Sequence, residues 1–207
     1  MTSAPGARAG VRLVLASRSP QRSMILELLG VPFRVVISEH DEDLRGGDPV
    51  ATVETNARGK AEEVLERIAL EAGELVLGVD TVVVLEGRVL GKAGGEDEAR
   101  AYLRDLGGRR HEVYSGLHLC DGVGAFTGHA VTGVTFRALA PGDIDRYVAG
   151  GEWRDRAGAY AIQGIGSVLV AAVEGDYFNV VGLPVPLLVE ALAAFGTPAF
   201  AWLQHGD

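Results

Sequence analysis

Short, largely apolar runs that alternate with segments of helical spacing set the main limit on what this chain can become. "VRLVLA" and "ELVLGVD" carry so few polar residues that a strand formed by either has to be buried on both faces. Between them, "PQRSMILELLG" reads as a helix and "FRVVIS" as a strand. Residues 49–71 then follow helical spacing, with Val53, Ala57, Ala61, Val64, Leu65 and Ile68 on one side. "TVVVLEGRVLG" predicts a hairpin turning at Glu86 and Gly87. "GEDEARAYLRDLGG" predicts a helix, with acidic residues in its first turn and glycine after its end. Two long β-like segments follow, "HEVYSGLHLCDG" and "AFTGHAVTGVTFRAL", then a short helix from Pro141. "GSVLVAAVEG" is strand-like and "PVPLLVEALAAFG" is a final helix. The pattern predicts an α/β protein with a mixed sheet. No repeat or low-complexity linker marks a boundary, so residues 1–10 read as a loose, flexible tail and 11–207 as a single domain.

The formal charge of −9 supplies no basic field for a nucleic-acid backbone, although a few local cations or a metal ion can still hold a free nucleotide. A single cysteine, Cys120, excludes an internal disulfide and suits a reducing, cytoplasmic setting. The apolar runs are too short and too often broken by charge or glycine to span a membrane, and "MTSAPGARAG" lacks the apolar stretch of a secretory signal.

The stretch "LASRSPQRSMILELLG" holds more polar chemistry than a helix start needs. Ser19 stands at the N-cap and Pro20 at the first helical position, where its missing N–H costs nothing. Met24, Ile25, Leu28 and Leu29 would form the apolar face, and Gly30 the end. Ser17 and Arg22 are not required for capping. A cation in the first helical turn is mildly unfavourable, and a bound anion would relieve that cost. Exposed N–H groups, two hydroxyls and a guanidinium are the parts of a phosphate site; the alternative is a plain cap beside a solvated arginine.

Asp80 follows the apolar run "ELVLGV" and is expected where a buried strand ends, beside the crevice that ligands occupy in α/β sheets. There it suits a metal ligand or a general base, or else it only turns the chain before Thr81. Lys92, in "VLGKAGG", can approach a phosphate or be merely solvated. Lys60, in "ETNARGKAEE", either sits on the helix face opposite its acidic partners or only pairs with Glu63 or Glu62. The acidic run "EHDED" offers Glu39, Asp41, Glu42 and Asp43 as a solvated loop or as metal ligands. The five histidines, His40, His111, His118, His129 and His205, show no metal-ligand spacing. Gln163, in "YAIQGIGS", is a carboxamide that both donates and accepts, as reading a base edge requires.

Taken together, "LASRSPQRSMILELLG", "HDE", "NARGKAEEV", "GVDTVVVLEGRVLGK", "HEVYSGL", "RDRAGAYAIQGIGS" and "NVVGLPVPLL" resemble the Maf family over about Leu13 to Leu188. The resemblance implies a long mixed β-sheet flanked by helices, with two lobes and a central cleft, similar to the inosine triphosphate pyrophosphatases. It also implies a nucleoside triphosphate pyrophosphatase that leaves a monophosphate, a divalent cation (Mg²⁺ or Mn²⁺), a cytoplasmic setting and a homodimer. By the same resemblance Asp80 accepts a proton, and Ser17, Arg22, Lys60 and Lys92 bind phosphates. Glu42, with Asp80, would hold the metal. The alternative reading is a nucleotide-binding regulator of septum formation with little turnover.

Two departures bear on specificity. The pyrimidine-specific branch resembles this chain with SPRR where it has SPQR, so Gln21 replaces an arginine. Its KAG is RAG here, which puts Arg156 in place of a lysine and keeps the charge. Thr81 and Gln163 match the dTTP/UTP branch, whereas the branch acting on 7-methyl-GTP has glutamate at the latter position. The resemblance thus points to dTTP and UTP, or to a broader range including modified nucleotides.

Overall fold

The computed structural model describes residues 10–43 and 47–203. The expected tail falls almost wholly outside them, as does His205. Elements run β1 (Arg12–Leu15), α1 (Pro20–Leu28), β2 (Phe33–Val35), α2 (Pro49–Arg67), β3 (Glu74–Leu85), β4 (Arg88–Leu90) and α3 (Glu96–Leu106). They continue through β5 (Arg110–Cys120), β6 (Ala125–Phe136), α4 (Pro141–Gly150), a 3-10 turn (Gly164–Leu169), β7 (Val170–Glu174), α5 (Tyr177–Val181) and α6 (Val185–Ala194).

Among the described residues one mixed sheet carries seven strands in the order β2-β1-β3-β5-β6-β7, with β4 also on β3. Only β1 pairs in parallel, with β2 and β3; every other pairing is antiparallel. Strand β3 is the spine. On one edge it pairs with β1 through Glu74–Leu77 and with β4 through Val83–Leu85, and among the described residues no strand covers the edge between. On the other edge β5 follows it without a break from Val76 to Val84.

Among the described residues two large apolar cores, and two smaller clusters under α2, are strung along these strands. One gathers α1, α6 and the first half of β3 around Leu13, Ile25, Leu77 and Leu188. The other gathers α3, α4 and the second half of β3 around Val83, Leu103, Phe136 and Tyr147. Helix α2 covers the opposite face, and glycine is what lets it lie so close. A Cβ on Gly78 would sit 2.1 Å from the Ala57 carbonyl oxygen, and one on Gly116 would sit 2.2 Å from that of Val53. At these two points the helix backbone rests directly on the strands, while Ala61 and Val64 pack against Val14 and Val76, and Val53 against Val82 and Val84.

Several expectations need correction. Asp80 lies not at a strand end but in the middle of β3, because the strand continues past the point where β1 stops. On α1, Ile25 and Leu26 are buried while Met24 and Leu28 are 38% and 69% exposed. The helix is turned so that Arg22, bonded inside the protein, takes a place on the inner face. Ser19 has N-cap backbone geometry but its side chain does not cap; its hydroxyl donates to Gln21 Oε1 at 3.2 Å. Helix α2 stops at Arg67. "FRVVIS" pairs only over Phe33–Val35, and the first half of "GSVLVAAVEG" is the 3-10 turn. Helix α5 was not foreseen. After α6 the chain packs back on α1: Trp202 is buried and its indole N–H donates to the Leu29 carbonyl at 2.9 Å.

Candidate active site

The uncovered edge of β3 opens into a cleft of about 820 Å³. Ser17, Gln21, Arg22, Glu42, Lys60, Asp80, Thr81, Lys92 and Gln163 all line it, as does Asp41 of the acidic run. Arg156 lines it as well.

Asp80 is 3% exposed and faces α2, whose close seat brings two donors onto it. Lys60 Nζ lies 2.6 Å from Oδ1, and Asn56 Nδ2 donates to Oδ2 at 3.0 Å. Asn56 and Lys60 are four residues apart on one helix face, so a single rigid element holds both carboxylate oxygens. Asn56 also ties down the acidic loop, accepting from the Asp43 amide at 3.0 Å and donating to its carbonyl at 3.2 Å. That loop delivers Glu42, whose Oε1 is 2.6 Å from Lys60 Nζ and whose Oε2 is 3.8 Å from Lys92 Nζ. Burial disfavours charge on Glu42. Lys60, by charge and hydrogen bond, together with Lys92 and Arg22, outweighs it and holds the carboxyl below the usual range.

Thr81, one residue on, points to the other face of β3. Its hydroxyl is 2.9 Å from that of Ser115 on β5 and accepts from Arg22 Nη2 at 3.2 Å. Arg22 also donates from Nη1 to Ser17 Oγ at 2.9 Å and from Nε to the Gly182 carbonyl at 2.9 Å. Arg22 is 8% exposed; burial lowers its pKa, and Asp80 and Glu42 oppose that. An arginine so placed stays cationic and is fixed against the cleft wall. Lys92 arrives by another route, since it forms an isolated antiparallel bridge with Ala157, next to Arg156.

Five carboxylates and six lysine or arginine side chains line the hollow, with Asp80, Glu42, Arg22, Lys60 and Lys92 gathered on the β3 side. Asp80 and Glu42 both reach a single ammonium at 2.6 Å, so they can also reach a single divalent cation. Among the described residues no group of three or more His, Cys, Asp or Glu gathers to hold a metal. A cation here would draw its remaining ligands from water and phosphate, which is the habit of Mg²⁺, so the donor set fits that group. Neither Glu39 nor Asp43 lines the cleft. Asn56 and Ser115 were missed. Asn56 could have been found from its four-residue spacing to Lys60 in "NARGK", whereas Ser115 carries no local signal.

No helix of the described residues is long and apolar enough to cross a membrane. Residues 12–195 match the family described as Maf-like protein. The chain is 50% identical over 188 residues to the dTTP/UTP pyrophosphatase of Moorella thermoacetica, covering 89% of this chain and 95% of that protein. It is 43% identical over 185 residues to proteins of the same name from Bacillus cereus and Bacillus mycoides, again covering 89% of this chain and 95% of each. With this match spanning both cores and the cleft between them, the chain belongs to the Maf-like family.

Proposed function

We propose that this chain hydrolyses nucleoside triphosphates, dTTP and UTP above all, to the monophosphate and pyrophosphate. The observation that carries the reading is Asp80, buried where β3 is paired with β5 on one edge and with no described strand on the other, and held through both oxygens, facing a cleft whose walls carry Arg22, Lys60 and Lys92. Arg22, with Ser17 and the lysines, binds and orients the triphosphate, and their charge offsets the repulsion that an incoming water meets. Asp80 takes the proton of that water as its oxygen bonds to the α-phosphorus. The bond from the α-phosphorus to the bridging oxygen breaks, and pyrophosphate leaves with the electron pair. Mg²⁺ or Mn²⁺ held by Glu42 and Asp80 would supply further positive charge to the phosphate oxygens. Gln21, Thr81 and Gln163 line the same cleft, with Gln163 offered to the base. One α/β domain from residue 11, a cytoplasmic setting and a homodimer belong to the same proposal. The support is the family match together with the pyrophosphatase names of the relatives. The test is pyrophosphate release across common and modified triphosphates with Mg²⁺ and Mn²⁺. Release from dTTP and UTP ahead of the others is expected, and release from none refutes the enzyme.

A further inference from the structure

The rim of the cleft that carries Gln163 is shaped by a carboxylate from outside its own segment. Glu152 accepts from the Ile165 amide at 3.1 Å through Oε1 and from the Gly166 amide at 2.7 Å through Oε2. The Tyr147 hydroxyl, itself hydrogen-bonded to Glu152, accepts from the Ala161 amide at 3.1 Å. Both ends of the segment 161–166 are thereby pinned, and the span between them is Ile162, Gln163 and Gly164. Gly164 has φ +69°, and a Cβ there would lie 2.3 Å from Glu152 Oε1. A Cβ on Gly166 would lie 2.0 Å from the Ala161 carbonyl oxygen. The turn is built so that the carboxylate can reach its amides. Gln163 itself is half-buried, and its carboxamide has no partner among the described residues.

Glu152 also lines the cleft, where a free carboxylate would repel a triphosphate. With both oxygens turned onto backbone N–H groups, that charge is directed into the turn instead. We propose that Glu152 is a positioning residue: it holds the turn that presents Gln163 to the nucleobase. This rests on the function proposed above. A carboxylate that served only to cap the 3-10 turn would affect stability but not the use of Gln163.

The test compares Glu152→Ala and Glu152→Gln with the unaltered protein. In ligand-free protein, amide exchange at Ile165 and Gly166 should rise at least about tenfold in Glu152→Ala while β3 amides stay protected. With UTP as substrate, KM should rise about tenfold or more while kcat changes by less than about threefold. Glu152→Gln, which keeps one acceptor, should fall between. Adding Gln163→Ala to Glu152→Ala should cost less than the product of the two single effects, because the first change has already displaced the carboxamide. Unchanged exchange at the two amides overturns the proposal, and so does a fully multiplicative double variant. If the unaltered protein releases pyrophosphate from no triphosphate, the proposed function fails, and the exchange measurement still decides whether Glu152 holds the turn.

Discussion

The seat of α2 on the sheet makes Gly116→Ala an informative substitution. The added Cβ would sit 2.2 Å and 2.3 Å from the Val53 carbonyl oxygen and carbon, and 2.7 Å from the Glu54 nitrogen. These are backbone atoms of a helix, so no flexible side chain can swing away. Restoring ordinary contact at 3.4 Å lifts that part of α2 by about 1 Å. Overpacking of this size costs about 2 kcal/mol, which lowers Tm by roughly 4–8 °C in a chain of this length. The larger consequence is local. Asn56 and Lys60 ride on the same helix at 3.0 Å and 2.6 Å from Asp80, and a lift of that size takes both out of good hydrogen-bond distance. Misplacement by ~1 Å at a reacting group can cost about a hundredfold in rate, so kcat should fall far more than the loss of stability accounts for. The assay is pyrophosphate release at a temperature where circular dichroism shows the variant fully folded. Gly150→Ala serves as control, because a Cβ there meets nothing within 4 Å. A Gly116→Ala protein with unaltered Tm and full kcat would show that α2 does not fix the geometry at Asp80.

Three further outcomes are expected. Asp80→Asn should keep the fold, since Lys60 retains Glu42 at 2.6 Å, but lose about 10²–10⁴ in kcat; turnover within tenfold of the parent would remove Asp80 as the proton acceptor. Glu42→Gln should raise the Mg²⁺ or Mn²⁺ concentration for half-maximal rate by about tenfold, and chelation should abolish activity in the parent; an unmoved metal titration counts against Glu42 as a ligand. His111 is 2% exposed, and burial, with Arg110 beside it, pulls its pKa from 6.5 to about 4. The unfolded chain therefore binds the extra proton between those values, so stability is complete above pH 6.5 and falls, by on the order of 3 kcal/mol, as pH drops to 4. Urea unfolding across that range should show a shallower slope in His111→Gln, and identical slopes would contradict the assignment.

Much of the fold was legible because buried strands and amphipathic helices leave periodic traces. The β3–β4 hairpin, α3 and the long pair β5 and β6 follow directly from such patterns. What failed has a common cause: the local sequence carries no record of contacts made far along the chain. Helix α1 holds apolar residues at 24, 25, 26, 28 and 29, enough for either rotation, and the choice is made by Arg22 bonding to Gly182, 160 residues away. Asp80 was expected at a strand end because the apolar run pauses there. The strand resumes because β5 pairs with it throughout, and that pairing is invisible in "GVDT". In the candidate site, the cations and carboxylates were found by residue type and by resemblance, whereas Asn56, Ser115 and Glu152 work through geometry alone.

Strand β3 passes without interruption from one apolar core into the other, with β5 bonded along it. Two bodies joined by a flexible crossing could close on a substrate like a jaw; two bodies sharing continuous strands can move only as far as the sheet twists and bends. The notch is therefore governed by the sheet rather than by a hinge. Finer adjustment to different guests falls to the loops at 38–43 and 161–166, and an inhibitor shaped to the floor of the notch would bear on the sheet itself.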